Sequence, residues 1–364
     1  GQGTPLKGFV KYIPMAEMCN QLLGLVASFT TALVTDRRFT VGLGSSNDWY
    51  PRVFDTSPAF QWWLGSLNHL GVEGKAEQTF TNRQHSTDNG PSAFPMEMFL
   101  CDEIRSKVPA EVLTINVNQY FVPLLAQNAH YKPLIDALGD DVFRPLGRFL
   151  LQPTEKIANQ VDAFRRQNMD GKFVVGIHLR AGGGWPATED QWGVYWEAAK
   201  DAERLNVHGL PVVWFLAADL EKVRTHARST LGSKVVMNDV IFDNRDLGDL
   251  YGSAFADVLL LAECDHIVTS SWSTYSYVAA GLAGIKPTIV TEPAQPQSVD
   301  RRRGGAEVKW AGLEFWSSRR STFKNQPTSQ PCFHFYFNWR VQDARCFDPE
   351  EHIESEYMGG ERYC

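Results

Sequence analysis

The sequence predicts an α/β protein with two lobes, each built on a sheet of parallel strands. Short apolar runs of strand type alternate along the chain with segments of helical periodicity, which is the pattern of βαβ units. The segment Cys264–Val290 contains one such unit in full, as strand, turn, helix and strand. A chain of 364 residues is long enough for about two domains, each with its own core.

The first lobe opens with a βαβ pattern. Residues 8–13 read as a strand, 14–20 as a turn, 22–34 as an apolar helix and 38–43 as a second strand. The loop Glu17–Gln21 follows the first strand, where ligands of α/β proteins usually bind. GxGxxG is absent, so the sequence does not carry the dinucleotide fingerprint.

The rest of the first lobe is less regular. We expect residues 44–110 to be long loops and short helices that form a binding surface, because Trp residues alternate there with Gly, Pro, Ser and Asn. A strand at 112–122, helical segments to residue 152 and a polar helix at 153–167 complete the lobe.

The second lobe repeats the alternation of strand and helix. Its predicted strands and helices are 172–180, 189–204, 211–217, 220–231, 234–237 and 247–262, followed by the Cys264–Val290 unit and by loop at 291–330. We therefore predict an N-terminal lobe at 1–168, a C-terminal lobe at 169–330 and a cysteine-containing tail at 331–364.

The turn of the Cys264–Val290 unit is rich in hydroxyl groups. Ser270, Ser271, Ser273 and Thr274 surround Trp272, between a strand at 266–269, a helix at Tyr275–Leu282 and a strand at 287–290. A helix N-terminus with free N–H groups favours phosphate, so the turn is a candidate anion site. The alternative is a hydroxyl-rich helix cap with no ligand.

Two polar residues end the first strand of the second lobe. Arg180 suits a diphosphate, because its planar guanidinium pairs with two oxygens at once; the alternative is an interdomain salt bridge. His178 is the weaker candidate, since a lone histidine on a strand is more often structural.

Asp257 lies on the helix before the turn. A carboxylate can accept the paired N–H groups of guanine, which uracil does not offer; the alternative is a solvent-facing helix residue. No Asp-x-Asp pair occurs, which disfavours a sugar nucleotide bridged by Mg²⁺. From the residues alone, the pattern fits an enzyme that uses a nucleotide-activated donor.

Composition excludes some classes of partner. A net charge of −7 does not favour nucleic acid, and no run approaches the ~18 apolar residues of a membrane span. The chain starts without an initiator Met or a signal peptide, so we expect any membrane anchor to lie outside it. Cys332, Cys346 and Cys364 crowd the tail, which indicates disulfides and a secretory compartment; buried thiols are the alternative, and the sequence has no Asn-x-Ser/Thr sequon.

The chain resembles the plant xyloglucan α-1,2-fucosyltransferase family. The resemblance is carried in order by landmarks along most of the chain, at Asn20–Val41, Tyr120–Pro123, Leu146–Leu150 with Pro153–Thr154, Val268–Pro287 and Pro331–His334. It implies a GT-B fold, two Rossmann-like lobes facing across a cleft. It also implies metal-independent, inverting transfer of fucose from GDP-fucose, without a cofactor, to a glycan hydroxyl that is expected to belong to galactose.

The resemblance also assigns residues. Arg180 matches the arginine that holds the GDP diphosphate, and His178 matches the His of the related His-x-Arg form. The remaining donor-site residues are Asn20 of the first loop, Asp257 on guanine, and Ser273 and Thr274 at the phosphates. Ser271 and Tyr275, next to these two, are also assigned to donor binding. Localisation in the Golgi lumen and a homodimer are further expectations.

Some positions depart from the family pattern. Cys19 replaces the expected Gly before Asn20, Gln21 stands where the plant family tends to have Arg, and the segment after Arg180 is AGGG instead of a bulkier sequence. Residues 44–110 match poorly, so the donor is better supported than the acceptor. A transferase of another nucleotide sugar and a non-catalytic glycan-binding protein remain as alternatives.

Glu17 is the candidate general base. It lies in the first-lobe loop beside Asn20, and a base that activates the acceptor hydroxyl typically contributes roughly 10²–10⁴-fold. The alternative is a surface carboxylate without a catalytic role, because charged residues are mostly exposed.

Overall fold

The protein consists of two compact units, seen in a computed structural model. The structure describes residues 8–42, 49–55, 75–81, 96–182, 186–238, 247–271, 273–291, 322–325 and 329–331. The N-terminal unit comprises Gly1–Ala158, Ile241–Phe255 and Gln330–Cys364, and the C-terminal unit comprises Asn159–Val240 and Ala256–Ser329. Each unit is assembled from separate stretches of sequence, whereas the boundaries predicted from the sequence assume continuous lobes.

The N-terminal unit contains a four-stranded parallel sheet. Its strands are β1 (Phe9–Ile13), β2 (Arg38–Val41), β3 (Glu77–Thr81) and β4 (Val112–Asn116), in the order β2-β1-β4-β3. Its helices are α1 (Met18–Val34), α2 (Tyr50–Val53), α3 (Met96–Cys101), α4 (Ile104–Lys107), α5 (Val122–Gln127), α6 (Lys132–Asp136) and α7 (Phe143–Leu150); α8 (Glu155–Asn168) carries the chain into the other unit. The predicted βαβ opening is confirmed.

Three predictions for this unit were wrong in detail. Helix α1 begins at Met18, because Met18 and Cys19 are buried and extend its apolar face by a turn, so Asn20 lies on a helix and not in a loop. Strand β3 lies within the stretch 44–110 that we expected to be irregular; as an edge strand it needs few apolar residues. Strand β4 ends at Asn116, where its partner strand β1 also ends.

The C-terminal unit contains a six-stranded sheet. Its strands are β5 (Phe173–Leu179), β6 (Val212–Ala218), β7 (Val235–Val236), β8 (His266–Ser270), β9 (Thr288–Thr291) and β10 (Thr322–Asn325), in the order β10-β9-β8-β5-β6-β7. All neighbours are parallel except β10, which pairs antiparallel with β9. The helices are α9 (Trp192–Ala202), α10 (Glu221–Leu231), α11 (Leu247–Ala262), which starts in the N-terminal unit, and α12 (Thr274–Ala283).

Strand β5 is the centre of this unit. All seven of its residues are buried, as expected for a parallel strand that is covered on both faces. Val175, Ile177 and Leu179 belong to a core that includes Tyr195 and Ala199 of α9. This packing fixes the position of the residues that follow β5.

The strand order reverses between β5 and β8. The chain runs from β5 outward through β6 to β7, then returns to β8 on the other side of β5 and continues outward to β9. His178 pairs in register with Thr269, so Arg180 and Ser271 lie just beyond the carboxyl ends of these two strands. A reversal of this kind is where ligands of open α/β sheets bind.

Two details of the C-terminal unit differ from the sequence predictions. Ser270 ends strand β8 instead of opening the turn, because it continues the parallel pairing with β9 through Val290. Strand β10 lies within the stretch 291–330 that we expected to be loop. The predicted strand–turn–helix–strand unit itself is confirmed.

The three cysteines that the structure describes fall into two groups. Cys101 is disulfide-bonded, whereas Cys19 and Cys264 are buried thiols. The predicted disulfides of Cys332, Cys346 and Cys364 lie outside the described residues. Within the part of the chain that the structure describes, no helix is long and apolar enough to cross a membrane.

Candidate functional site

Arg180 is held by its backbone and by one side-chain nitrogen. Its N–H donates to Ser270 Oγ at 3.0 Å, and its carbonyl accepts from the N–H of Ala187 at 2.8 Å. Its Nε donates to the carbonyl of Gly182 at 3.2 Å. Among the described residues, no carboxylate forms an ion pair with it, so the alternative of a salt bridge finds no support there. The terminal amino groups are therefore available for an anion.

His178 lies beside Arg180 with a polar atom that has no partner. The residue is 5% exposed, and its ring stacks on that of Tyr275 with centroids 4.9 Å apart and an angle of 17°. Burial, together with the charge of Arg180, lowers the pKa of His178 to about 3, so the imidazole is neutral. Because buried Nδ1 lacks a hydrogen bond, His178 does not fit the alternative of a satisfied structural histidine.

The N-terminus of α12 presents the hydroxyl-rich turn. Ser273 occupies the cap position, but its side chain makes no capping hydrogen bond. Ser271 is 3% exposed, and its Oγ has no hydrogen-bond partner. Thr274 is the first residue of the helix, and Trp272 lies outside the described residues. An N-terminus with an unpartnered hydroxyl beside it can bind an anion.

Asp257 is buried in a polar network. It is 3% exposed, which rules out the alternative of a solvent-facing residue, and its Oδ1 accepts from Asn238 Nδ2 at 2.9 Å. Asn238 also accepts from Gln160 Nε2 at 3.2 Å and, through its carbonyl, from the guanidinium of Arg224. Burial raises the pKa of Asp257 to about 7, while Asn238 and Arg224 act in the opposite direction.

The network lies at the same edge of the sheet as Arg180. Asn238 follows β7, which is two strands away from β5, a distance of about 10 Å at the usual strand spacing. A nucleoside diphosphate extends over a distance of this order between its phosphates and its base. Asp257 as a guanine-binding residue stays a prediction.

Of the nine predicted site residues, the structure brings six together, places Asp257 in the buried network of the same unit and leaves two in the other unit. His178, Arg180, Ser271, Ser273, Thr274 and Tyr275 gather where β5, β8 and α12 meet. Asn20 and Glu17 belong to the N-terminal unit. There Asn20 Nδ2 donates to the carbonyl of Asn118 at 3.5 Å, and the exposed Glu17 precedes α1 without capping it. The roles of these residues stay predictions.

Sequence reasoning missed two polar residues around Arg180. The hydroxyl of Tyr195 lies 2.7 Å from Ser270 Oγ, and the carboxylate of Asp219 accepts the N–H groups of Ala181 and Gly182. Asp219 directly follows β6, so the rule that singled out Arg180 at the end of β5 also applies to it. Tyr195 lies within a helix and gave no such signal.

Metal ligands do not cluster in the described part of the chain. Within it, no group of three or more His, Cys, Asp or Glu side chains could hold an ion. The positive charge on the site comes from Arg180 and from the partial charge of the α12 N-terminus.

Ser271→Ala separates ligand binding from folding. The Oγ of Ser271 is buried without a partner, so its removal should leave the free energy of unfolding unchanged or raise it by about 1 kcal/mol. Binding of GDP should weaken by roughly tenfold, because one hydrogen bond to a charged group is lost. Thermal unfolding and calorimetric titration with GDP measure the two effects. Unchanged GDP affinity would remove Ser271 from the site.

Two Rossmann-like units, with a candidate anion site at the strand reversal of the second, define a protein of the GT-B fold class. The solved structure of an Arg-to-Lys mutant of Arabidopsis thaliana FUT1, in complex with GDP, matches this fold with a TM-score of 0.65. The match has 20% sequence identity and covers 90% of this chain and 76% of that one. The predicted fold class is confirmed.

Sequence comparison confirms the resemblance to the plant fucosyltransferases. The model of the family "Xyloglucan fucosyltransferase" matches residues 248–302. The Arabidopsis thaliana protein "Probable fucosyltransferase 9" is 26% identical over 314 residues, 78% of this chain and 62% of its own length. A galactoside 2-alpha-L-fucosyltransferase of Pisum sativum is 25% identical over 350 residues, 78% of this chain and 58% of its own length. The chain thus spans about three fifths of these curated relatives.

Proposed function

We propose that this protein transfers fucose from GDP-fucose to a hydroxyl group of a glycan. The observation that carries the proposal is a shared location at the strand reversal. Arg180 follows β5, and the neighbouring strand β8 leads into α12, whose N-terminus has no side-chain cap; two buried polar atoms there, on His178 and Ser271, have no partner. Such a site fits a diphosphate. The fucosyltransferase names of the relatives, and the GDP bound to the FUT1 mutant, support GDP-fucose as the donor.

The proposed acceptor is a galactose residue, and the proposed linkage is α-1,2. Support comes from the Pisum sativum relative, whose name is galactoside 2-alpha-L-fucosyltransferase. A cell-wall type of glycan agrees with the matching family, which is named for xyloglucan. Localisation in the Golgi lumen and a homodimer stay predictions.

The proposed mechanism is direct, inverting displacement without a metal ion. The acceptor hydroxyl attacks the anomeric carbon from the side opposite GDP, and negative charge grows on the departing diphosphate. Arg180 would pair with the phosphate oxygens through its terminal amino groups, while the N–H groups of α12 and Ser271 Oγ add hydrogen bonds. Groups that are fixed before the reaction stabilise this charge without reorganising. Neutral His178 can donate a hydrogen bond to the donor without adding charge.

Glu17→Gln tests the proposed general base. If Glu17 takes the proton of the acceptor hydroxyl, the turnover number should fall by roughly 10²–10⁴-fold. The affinity for GDP should stay the same, because the role is confined to the acceptor. Steady-state kinetics with saturating donor measure the first quantity, and calorimetry measures the second. An unchanged turnover number would exclude Glu17 as the base.

The experiment that tests the function is release of GDP from GDP-fucose. The reaction is run with and without galactose-terminated acceptors, including xyloglucan oligosaccharides, and again with excess EDTA. The proposal expects acceptor-dependent release that EDTA leaves unchanged. Loss of release with EDTA would overturn the metal-independent mechanism alone. Failure to bind GDP would overturn the donor site and favour another nucleotide sugar or a glycan-binding role.

A further inference from the structure

The loop after Arg180 is held by a carboxylate from the neighbouring strand. Asp219, directly after β6, accepts the N–H of Ala181 at 2.8 Å. It also accepts the N–H of Gly182, at 3.2 Å to Oδ1 and 3.1 Å to Oδ2. One side chain thus binds two successive N–H groups of a segment that contains three glycines in a row.

The contact continues from this loop to the guanidinium. The carbonyl of Gly182, whose N–H is bound by Asp219, accepts from Arg180 Nε at 3.2 Å. Fixing Nε sets the plane of the guanidinium and the direction of its terminal amino groups, because the group is rigid and planar. A hydrogen-bonded path therefore leads from Asp219 through Gly182 to the guanidinium of Arg180.

Gly182 is the residue of this loop that the carboxylate contacts most. Glycine loses more conformational freedom on folding than any other residue, so the hydrogen bonds from Asp219 restrain the backbone at a position that has little restraint of its own. A larger residue at position 182 would crowd the carboxylate, because an added Cβ would lie 3.0 Å from Asp219 Oδ2. Glycine at position 182 therefore allows the close approach of the Asp219 carboxylate to the backbone.

We propose that Asp219 is a positioning residue, which orients Arg180 toward the donor diphosphate by holding the loop Arg180–Gly182. The inference rests on the proposed function, because it needs a diphosphate at Arg180. A carboxylate on two backbone N–H groups has a second interpretation, in which it occupies an anion site that the diphosphate would otherwise fill. The two interpretations predict opposite changes in GDP affinity when the carboxylate is removed.

The test compares Asp219→Ala with Asp162→Ala. Asp162 on α8 is also exposed, so its replacement changes the net charge equally without touching the loop. Calorimetry measures the affinity for GDP, and steady-state kinetics give kcat and KM for GDP-fucose. The unfolding temperature is measured by thermal unfolding in the absence of ligand. We expect Asp219→Ala to weaken GDP binding by roughly tenfold and to lower kcat, with little change in unfolding temperature, because the residue is exposed. Asp162→Ala should match the unchanged protein.

A double-mutant cycle with Arg180→Ala shows whether Asp219 acts through Arg180. If it does, Asp219→Ala should change GDP affinity by less than twofold once Arg180 is already replaced. Equal losses in both backgrounds would overturn the inference, as would tighter GDP binding by Asp219→Ala. If the unchanged protein fails to bind GDP, the proposed function and this inference fall together. If it binds GDP and Asp219→Ala binds equally well, only the inference falls.

Discussion

Replacement of Arg180 by Ala should reduce fucosyl transfer by about 10²–10³-fold, the loss seen when one preorganised donor to a developing charge is removed. The guanidinium is oriented through Nε, and its terminal amino groups have no partner among the described residues. Its removal therefore breaks no ion pair there, and the fold should persist. Steady-state kinetics give the loss, and circular dichroism with thermal unfolding checks the fold.

Arg180→Lys is the matched variant for this prediction. Lysine keeps the charge but lacks the planar fork that binds two oxygens at once, so the loss should remain larger than tenfold. A lysine variant with normal turnover would mean that Arg180 supplies charge alone. An Ala variant with normal turnover would overturn the assignment of Arg180 to the diphosphate.

Asp257→Asn should stabilise the protein at alkaline pH. Burial raises the pKa of Asp257 to about 7 from the ordinary 3.8, so the folded protein binds more protons than the unfolded chain between these values. Stability therefore falls as pH rises through this window, because the unfolded state ionises first. Each pKa unit is worth about 1.4 kcal/mol, so the variant should gain about 3 kcal/mol over the unchanged protein between pH 5 and pH 8.

Urea unfolding of both proteins at pH 5 and pH 8 measures this gain. All other titrating groups are shared, so their contributions cancel in the comparison, and Asp162→Asn on the exposed face of α8 serves as the control. If the difference in free energy of unfolding between the two proteins is the same at pH 5 and pH 8, the Asp257 carboxylate is already ionised at pH 5 in the folded protein.

The same variant tests the predicted role of Asp257 in base recognition. If the carboxylate accepts the paired N–H groups of guanine, Asp257→Asn should lose at least tenfold of the preference for GDP over UDP. Competition between the two nucleotides measures this preference. An unchanged preference would leave Asp257 as a structural member of the buried network with Asn238.

The order of elements in the C-terminal unit could be predicted from the sequence because its parallel strands are buried. Strands such as β5 and β6 are continuous apolar runs, which stand out from the polar segments on either side. Strands β3 and β10 escaped prediction because edge strands bury little, and their sequences, EQTFT and TFKN, carry no apolar run. The start of α1 was misplaced because Pro14 is typical of a turn, and the polar residues Glu17 and Asn20 interrupt the apolar pattern after it.

The site was only partly predictable. Arg180 and the turn at 270–274 stand out because both follow apolar strands, and the topology then shows that these strands are neighbours. The sequence does not show which strand comes next to β5 on its other side, so the contact of Asp219 with Gly182 required the structure. The burial of Asp257 was equally hidden, since Asp257 lies on a largely apolar helix whose orientation depends on packing.

Strand β10 has a consequence for where the chain can be shortened. It pairs with β9 and so covers the hydrogen-bonding edge of that strand. Among the strands that the structure describes, it is the only antiparallel member of this sheet. A protein ending before Thr322 would keep every residue discussed at the strand reversal, yet it would present a bare row of N–H and C=O groups to other molecules. Exposed edges of this kind template intermolecular pairing. Such a shortened protein should aggregate through this edge although it keeps every residue of the candidate anion site.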